Sequence, residues 1–140
     1  MTYKLFLDDI RNPVQCVTYM HSRIGVKNPI YLEKGWVICR NFECFKNTIL
    51  EYGLPEFISF DHDLSDSHYQ EIVEFGFFVS DDTGYDCARW LIEYCESNGY
   101  KIPQFAVHSQ NPIGAERIFS LLTKAKTRLN DREGVQGSGY

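Results

Sequence analysis

Four short apolar runs along the chain alternate with longer segments of helical periodicity. The runs fall at about residues 3–7, 36–39, 56–60 and 104–108, which is typical of short β-strands. Apolar residues recur at helical spacing over about residues 42–52, 83–97 and 112–129. This order, in which helices connect successive strands, predicts an α/β fold. We expect a mostly parallel sheet of four to five strands with helices on both faces.

Local signals mark where each predicted helix begins. Asn41 is placed to cap the first helix, and Asn111 followed by Pro112 marks the start of the third. Thr83 precedes the second helix, and Asp86 three residues later gives this start capping-box character. The helix starts therefore follow from side chains that satisfy the free N–H groups of a first turn.

Three segments lack a clear period. Residues 12–34 show only weak helical spacing, so they are expected to form a partly irregular crossover. Residues 64–82, polar at first and then aromatic, are expected to form a hairpin or a flap. Residues 130–140 are Gly-rich and are expected to form a flexible C-terminal tail after a single domain of residues 1–129.

Composition and charge narrow the choice of partner. The formal net charge is −5, which argues against non-specific binding to DNA or to an anionic membrane surface. A small phosphorylated ligand stays compatible with this charge, because a bound metal ion reverses the local electrostatics. The five cysteines form no CxxC pair and indicate reduced thiols. With no signal-peptide pattern and no apolar run near the roughly twenty residues of a membrane span, the sequence predicts a cytoplasmic protein and leaves its oligomeric state open.

Charged and polar side chains follow three of the four predicted strands directly. Asp8 and Asp9 follow the first strand, residues 61–63 (DHD) follow the third, and His108-Ser109 follows the fourth. The carboxyl ends of parallel strands lie along one edge of the sheet, and ligands bind in the crevice there. We therefore expect these side chains, about fifty residues apart in sequence, to meet in space.

The four carboxylates at this edge form a candidate metal site. Asp8, Asp9, Asp61 and Asp63 offer only oxygen atoms, which suit Mg²⁺, Mn²⁺ or Ca²⁺. Side chains alternate in direction at a strand end, so Asp61 and Asp63 can face the site together while His62 points elsewhere. The alternative is that one carboxylate of the first pair caps the next segment and faces water.

The other polar residues suit phosphate chemistry. His62 and His108 are candidates for general acid or base, since the pKa of histidine is near neutral. Ser109 and the helix start at Asn111 are placed to bind phosphate oxygens, and Arg11 either clamps a phosphate or neutralises the acidic pair. The alternatives are structural roles, in which the histidines pack, Asn111 only caps and Arg11 forms an ion pair.

Four motifs in this order resemble the family of cyclic-phosphate processing receiver domains. They are LFLDDIRNP, FISFDHDL, TGYDCARWL and FAVHSQNPIGAERI, and the resemblance extends from residue 3 to about residue 120. It implies a receiver-like, flavodoxin-like fold, a three-layer α/β sandwich. By this resemblance Asp8 and Asp9 match the Mg²⁺-binding pair, Asp61 matches the phosphoacceptor and Ser109 matches the hydroxyl that contacts phosphoryl oxygens. Asp63 falls where a receiver supplies a metal-bound backbone carbonyl.

Two departures from ordinary receivers affect the expected function. No fifth strand with a lysine follows the last helix, and the two histidines are additions that a receiver does not need. The resemblance thus implies a divalent-metal-dependent phosphoesterase acting on a cyclic phosphate or a related nucleotide or RNA-end phosphate, with Asp61, His62 and His108 as catalytic residues. The alternatives are a non-catalytic receiver-like signalling module and a nucleotide-sequestering protein with residues 75–78 as its lid.

Overall fold

A four-stranded parallel sheet forms the centre of the protein. The structure, a computed structural model, describes residues 2–16, 29–64, 83–109 and 111–131. The strands are β1 (Lys4–Leu7), β2 (Trp36–Cys39), β3 (Phe57–Phe60) and β4 (Gln104–Val107), in the order β2-β1-β3-β4. Leu7 pairs with both Cys39 and Phe60, and Phe60 pairs with Val107, so all four strands end at the same level. The predicted parallel α/β fold is confirmed.

Within the described residues, three α-helices follow the strands at the predicted positions: α1 (Phe42–Tyr52), α2 (Gly84–Asn98) and α3 (Pro112–Lys126). The Asn41 side chain caps α1 by accepting the N–H of Cys44 at 2.9 Å. Thr83 and Asp86 form a complete capping box at the start of α2. The capping predictions are therefore confirmed.

The three helices α1, α2 and α3 pack side by side over one face of the sheet. The chain moves across the sheet in one direction from β2 to β3 and from β3 to β4, and right-handed crossovers then lie on the same face. The step from β1 to β2 runs the opposite way, so that crossover lies on the other face. Its described part contains a 3₁₀ helix, Pro29–Leu32.

The strand alternation divides the interior into two cores. The larger lies under the helices and includes Leu5, Leu7, Ile58 and Phe60. The smaller, on the other face, is aromatic and is built on Phe6, Cys16 and Tyr31, with Ile30 and Trp36 packed against it. This second core lies directly below the residues that follow β1 and β4, so it supports the candidate site.

The helical end of the chain extends further than predicted. A π-helical turn, Thr127–Asp131, continues α3, and Asn130 accepts the N–H of Ile102 at 3.0 Å. Asn130 and Asp131 therefore belong to the folded domain and not to the predicted tail. The predicted flap at residues 65–82, the centre of the crossover at 17–28 and the remaining tail at 132–140 lie outside the described residues. Among the described helices, none is both long and apolar enough to cross a membrane.

Candidate functional site

Three carboxylates meet at the carboxyl edge of the sheet. Asp8 and Asp9 follow β1, Asp61 follows the adjacent β3, and one oxygen atom from each lies within 4.8 Å of the other two. Asp8 is fully buried and Asp61 is 4 % exposed. The proximity follows from the register, because Leu7 and Phe60 are paired and the residues after them are therefore brought together. The expected meeting of these side chains is confirmed for this group, which we call the acidic cluster.

Asp61 is the carboxyl group most affected by its surroundings. Burial, together with the negative charges of Asp8 and Asp9, raises the pKa of Asp61 to about 7. Arg11 and a hydrogen bond from Ser109 act in the opposite direction without cancelling the rise. A divalent cation would remove the repulsion that keeps this carboxyl partly protonated near neutral pH. The donor set and its excess of negative charge therefore fit Mg²⁺ or Mn²⁺.

Asp8 accepts four hydrogen bonds. Its Oδ1 accepts the backbone N–H groups of Ile10 at 3.0 Å and Arg11 at 2.9 Å. Its Oδ2 lies 3.2 Å from the Arg11 guanidinium and 2.9 Å from His108 Nε2. Burial alone would raise the pKa of Asp8, but these hydrogen bonds outweigh it and hold the pKa well below its usual range. Asp8 is therefore an ionised carboxylate with every lone-pair position in use.

His108 is fully buried behind Asp8. Its Nδ1 lies 2.6 Å from Ser59 Oγ and its Nε2 lies 2.9 Å from Asp8 Oδ2. Burial lowers the pKa of His108, and the hydrogen bond to Asp8 and its negative charge partly offset this lowering. This geometry does not support the predicted role of His108 as general acid or base, because neither ring nitrogen is left to meet a substrate. The imidazole instead supports Asp8.

Asp63 does not join the acidic cluster, contrary to its prediction as a metal ligand. Its Oδ1 lies 2.8 Å from His62 Nδ1 and 3.4 Å from Asn111 Nδ2. The carboxylate faces the start of α3 because Asp63 lies beyond the end of β3, where strand alternation no longer applies. The His62 ring packs on Gly114, where an added Cβ would lie 2.4 Å from His62 Cγ. His62 thus lies at the start of α3 and is partly exposed.

Two of the three predicted phosphate-binding residues contact the acidic cluster. Ser109 is buried, donates a hydrogen bond to the Asp61 carboxylate and accepts the N–H of Asn111 at 3.1 Å. Asn111 caps α3 by accepting the N–H of Gly114 at 2.9 Å. Arg11 forms the expected ion pair with Asp8. Of these residues, Ser109 is in direct contact with the acidic cluster through Asp61, and Arg11 through Asp8.

Sequence reasoning missed several residues that shape the site. The guanidinium of Arg40 donates to the carbonyl oxygens of Asp8 and Arg11 and to Asn12 Oδ1, so it holds the loop after β1. The available signal was its position directly after β2, at the same sheet edge. Gly84 donates its N–H to the His62 carbonyl at 2.8 Å, and it allows α2 to begin against the end of β3 because an added Cβ would collide with the Asp61 backbone.

The chain was compared with models of protein families. The model described as "Cyclic-phosphate processing Receiver domain" matches residues 3–124. No curated protein and no solved structure matches the chain. The matched range includes all four strands, the acidic cluster and Ser109, and it ends within α3 before the π-helical turn.

Proposed function

Because the chain belongs to the family of cyclic-phosphate processing receiver domains, we propose that it is a divalent-metal-dependent phosphoesterase. Its proposed substrate is a cyclic phosphate on a nucleotide or at an RNA end. The observation that carries the proposal is the buried acidic cluster, in which Asp61 is held against two other carboxylates. A hard cation would relieve the electrostatic repulsion among these carboxylates. The cluster also lies at the sheet edge where ligands bind.

Asp9 and Asp61 are the proposed metal ligands. Asp8 already accepts four hydrogen bonds, so it contributes mainly its negative charge unless the Arg11 guanidinium leaves. A bound divalent ion would polarise the phosphate oxygens and favour attack at phosphorus. The residues of the chain would then bind and orient the phosphate around this position.

Three residues are proposed to act on the substrate. Ser109 contacts Asp61 and is placed to donate to a phosphate oxygen, and Arg11 supplies positive charge beside the cluster. His62 directly follows Asp61 in the sequence and keeps part of its ring exposed, so it is the proposed proton donor or acceptor. We also hypothesise that Asp61 is the nucleophile and forms a covalent phosphoryl intermediate. A trapped phosphate mimic that never contacts Asp61 would exclude this intermediate.

A non-catalytic receiver-like module is the second candidate. The observation that favours it is the burial of His108, which removes one of the two predicted acid–base groups. Such a module would bind Mg²⁺ at the acidic cluster and turn over no substrate. The nucleotide-sequestering alternative relied on residues 75–78, which lie outside the described residues.

Turnover assays separate these candidates. We expect Mg²⁺- or Mn²⁺-dependent hydrolysis of nucleoside 2′,3′-cyclic phosphates or 3′,5′-cyclic nucleotides, and a loss of about 100-fold in Asp9→Asn. Glu93→Gln, which removes one negative charge from the exposed side of α2, is the matched control and should keep full activity. Thermal stabilisation by Mg²⁺ without any turnover would favour the module, and turnover that survives a chelator would contradict the proposed metal dependence.

Arg11 provides a separate test of how the negative charge of the acidic cluster is balanced. Arg11→Gln removes a positive charge beside the metal position and frees one lone-pair position on Asp8, so we expect Mg²⁺ to bind about 3- to 10-fold more tightly. Titration calorimetry with Mg²⁺ measures this directly. Arg128→Gln, at an exposed ion pair with Glu96, controls for the change in net charge. Weaker Mg²⁺ binding in Arg11→Gln alone would show that the guanidinium organises the site and does not compete with the ion.

A further inference from the structure

A continuous line of hydrogen bonds runs from the second core to the acidic cluster. Tyr31 Oη lies 2.7 Å from Ser59 Oγ, Ser59 Oγ lies 2.6 Å from His108 Nδ1, and His108 Nε2 lies 2.9 Å from Asp8 Oδ2. These four residues come from the 3₁₀ helix, β3 and the ends of β4 and β1. All four are buried, and none is more than 2 % exposed. We call this line the Tyr31–Asp8 relay.

Asp8, at one end of the relay, determines where the hydrogen atoms lie along it. The Asp8 oxygens already accept from two backbone N–H groups and from the Arg11 guanidinium, so His108 Nε2 carries the hydrogen in its hydrogen bond to Oδ2. In a buried ring stacked on Phe6 a second proton is unfavourable, so Nδ1 accepts from the Ser59 hydroxyl. The Ser59 oxygen in turn accepts from the Tyr31 hydroxyl. Each hydroxyl therefore donates toward Asp8, and the whole line has one direction.

The aromatic packing fixes the plane of the imidazole. The His108 ring is stacked on Phe6 with centroids 4.5 Å apart and an interplanar angle of 5°. Tyr31 meets the same ring edge-on, at 6.4 Å and 81°. Within this plane, the hydrogen bonds of Nδ1 with Ser59 and of Nε2 with Asp8 select one of the two flip states.

We propose that Tyr31 and Ser59 are positioning residues for the metal site, acting through the orientation of the His108 imidazole. Their hydrogen bonds hold Nδ1, Asp8 holds the proton on Nε2, and the ring fixed in this way keeps the Asp8 carboxylate beside Asp9 and Asp61. This inference rests on the proposed metal site, and it adds to that site two residues that never touch the metal or the substrate. Outer partners of this kind change metal affinity about 10- to 100-fold in other metal proteins.

Histidine ring ¹⁵N NMR on the metal-free protein tests the tautomer. We expect one ring with Nε2 protonated and Nδ1 unprotonated, and His108→Gln identifies it among the four histidines by removing its signals. In Ser59→Ala the proton should stay on Nε2, because Asp8 still accepts it, but the Nδ1 resonance should move toward that of a ring nitrogen without a hydrogen bond. Finding both nitrogens protonated, or the proton on Nδ1, in the unaltered protein would overturn the proposal.

Metal affinity gives the second measurement, made by titration calorimetry with Mg²⁺. We expect binding to weaken about 10-fold in Ser59→Ala and about 3-fold in Tyr31→Phe, with Tyr100→Phe on the exposed surface as the matched control. His108→Gln keeps an amide donor for Asp8 and should bind Mg²⁺ better than His108→Leu. Unchanged affinity and unchanged NMR in both Tyr31→Phe and Ser59→Ala would assign these residues to packing alone. A protein with the expected tautomer that binds no divalent ion would overturn the proposed function and leave the positioning of Asp8 standing.

Discussion

Replacing Gly84 with alanine is expected to destabilise the protein and to displace the acidic cluster at the same time. An added Cβ at this position would lie 1.9 Å from the Asp61 carbonyl oxygen and 2.9 Å from its carbonyl carbon. Both are backbone atoms, so α2 or the end of β3 has to move. We expect the free energy of unfolding to fall by at least about 3 kcal/mol, measured by chemical denaturation.

The same substitution should weaken Mg²⁺ binding about 10-fold or more, because Asp61 moves with its backbone. Gly99→Ala is the matched control: its positive φ of 71° adds strain of about 1 to 2 kcal/mol, but no heavy atom lies within 4 Å of the added Cβ. Gly99→Ala should therefore lose some stability and keep its metal affinity. Equal losses of stability in the two variants would show that the approach of α2 to β3 is not the constraint.

Replacing Asp61 with asparagine is expected to abolish activity and yet to stabilise the metal-free protein at pH 8. The side chain is a proposed metal ligand and nucleophile, so its loss should reduce turnover at least about 1000-fold. In the absence of metal, however, its negative charge lies buried against Asp8 and Asp9. The neutral amide removes that repulsion, so the effects on activity and on stability have opposite signs.

The pH dependence gives the size of this effect. Burial and the charges of Asp8 and Asp9 raise the pKa of Asp61 to about 7, whereas an unfolded aspartate has a pKa near 4. The stabilising contribution of protonated Asp61 is therefore complete below about pH 4 and is lost as the pH rises through about 7. At pH 8 with a chelator, Asp61→Asn should be more stable than the unaltered protein by about 2 to 4 kcal/mol.

Asp8 contributes to pH dependence in the opposite direction. Its pKa is held below the usual range, so its contribution is present at neutral pH and is lost as the pH falls through the acid range. That loss occurs in both proteins, so the difference between their denaturation midpoints isolates Asp61. Saturating Mg²⁺ should stabilise the unaltered protein and leave Asp61→Asn nearly unchanged. A variant that is less stable than the unaltered protein at pH 8 would contradict the buried repulsion.

The positions of the acidic residues were predictable because strand ends in a parallel sheet share one edge. Asp8, Asp9 and Asp61 each follow an apolar run, and the register of β1 and β3 brings them together. The same reasoning fails for Asp63, which lies three residues beyond the end of β3 and faces α3. The predictive rule holds only while the backbone stays extended.

The roles of individual side chains were less predictable than their positions. His108 was identified correctly as an edge residue, but Ser59 lies on the same face of the sheet and occupies its second nitrogen. A serine inside the otherwise apolar run FISF was the available signal. Tyr31 gave no such signal, because the sequence around it has no clear period and its short 3₁₀ helix, Pro29–Leu32, depends on tertiary packing.

The hydrogen bond between His108 and Asp8 joins residues 100 positions apart in the sequence. Asp8 is synthesised almost at the beginning of the domain, and the group that orients it arrives only after β4 has been made. During synthesis the first three strands can associate, but Asp8 still lacks its hydrogen bond to His108. Contacts of such long sequence separation also slow folding, because a large loop must close before they form. We therefore expect the chain to reach its full affinity for Mg²⁺ only when the fourth strand docks and His108 meets Asp8.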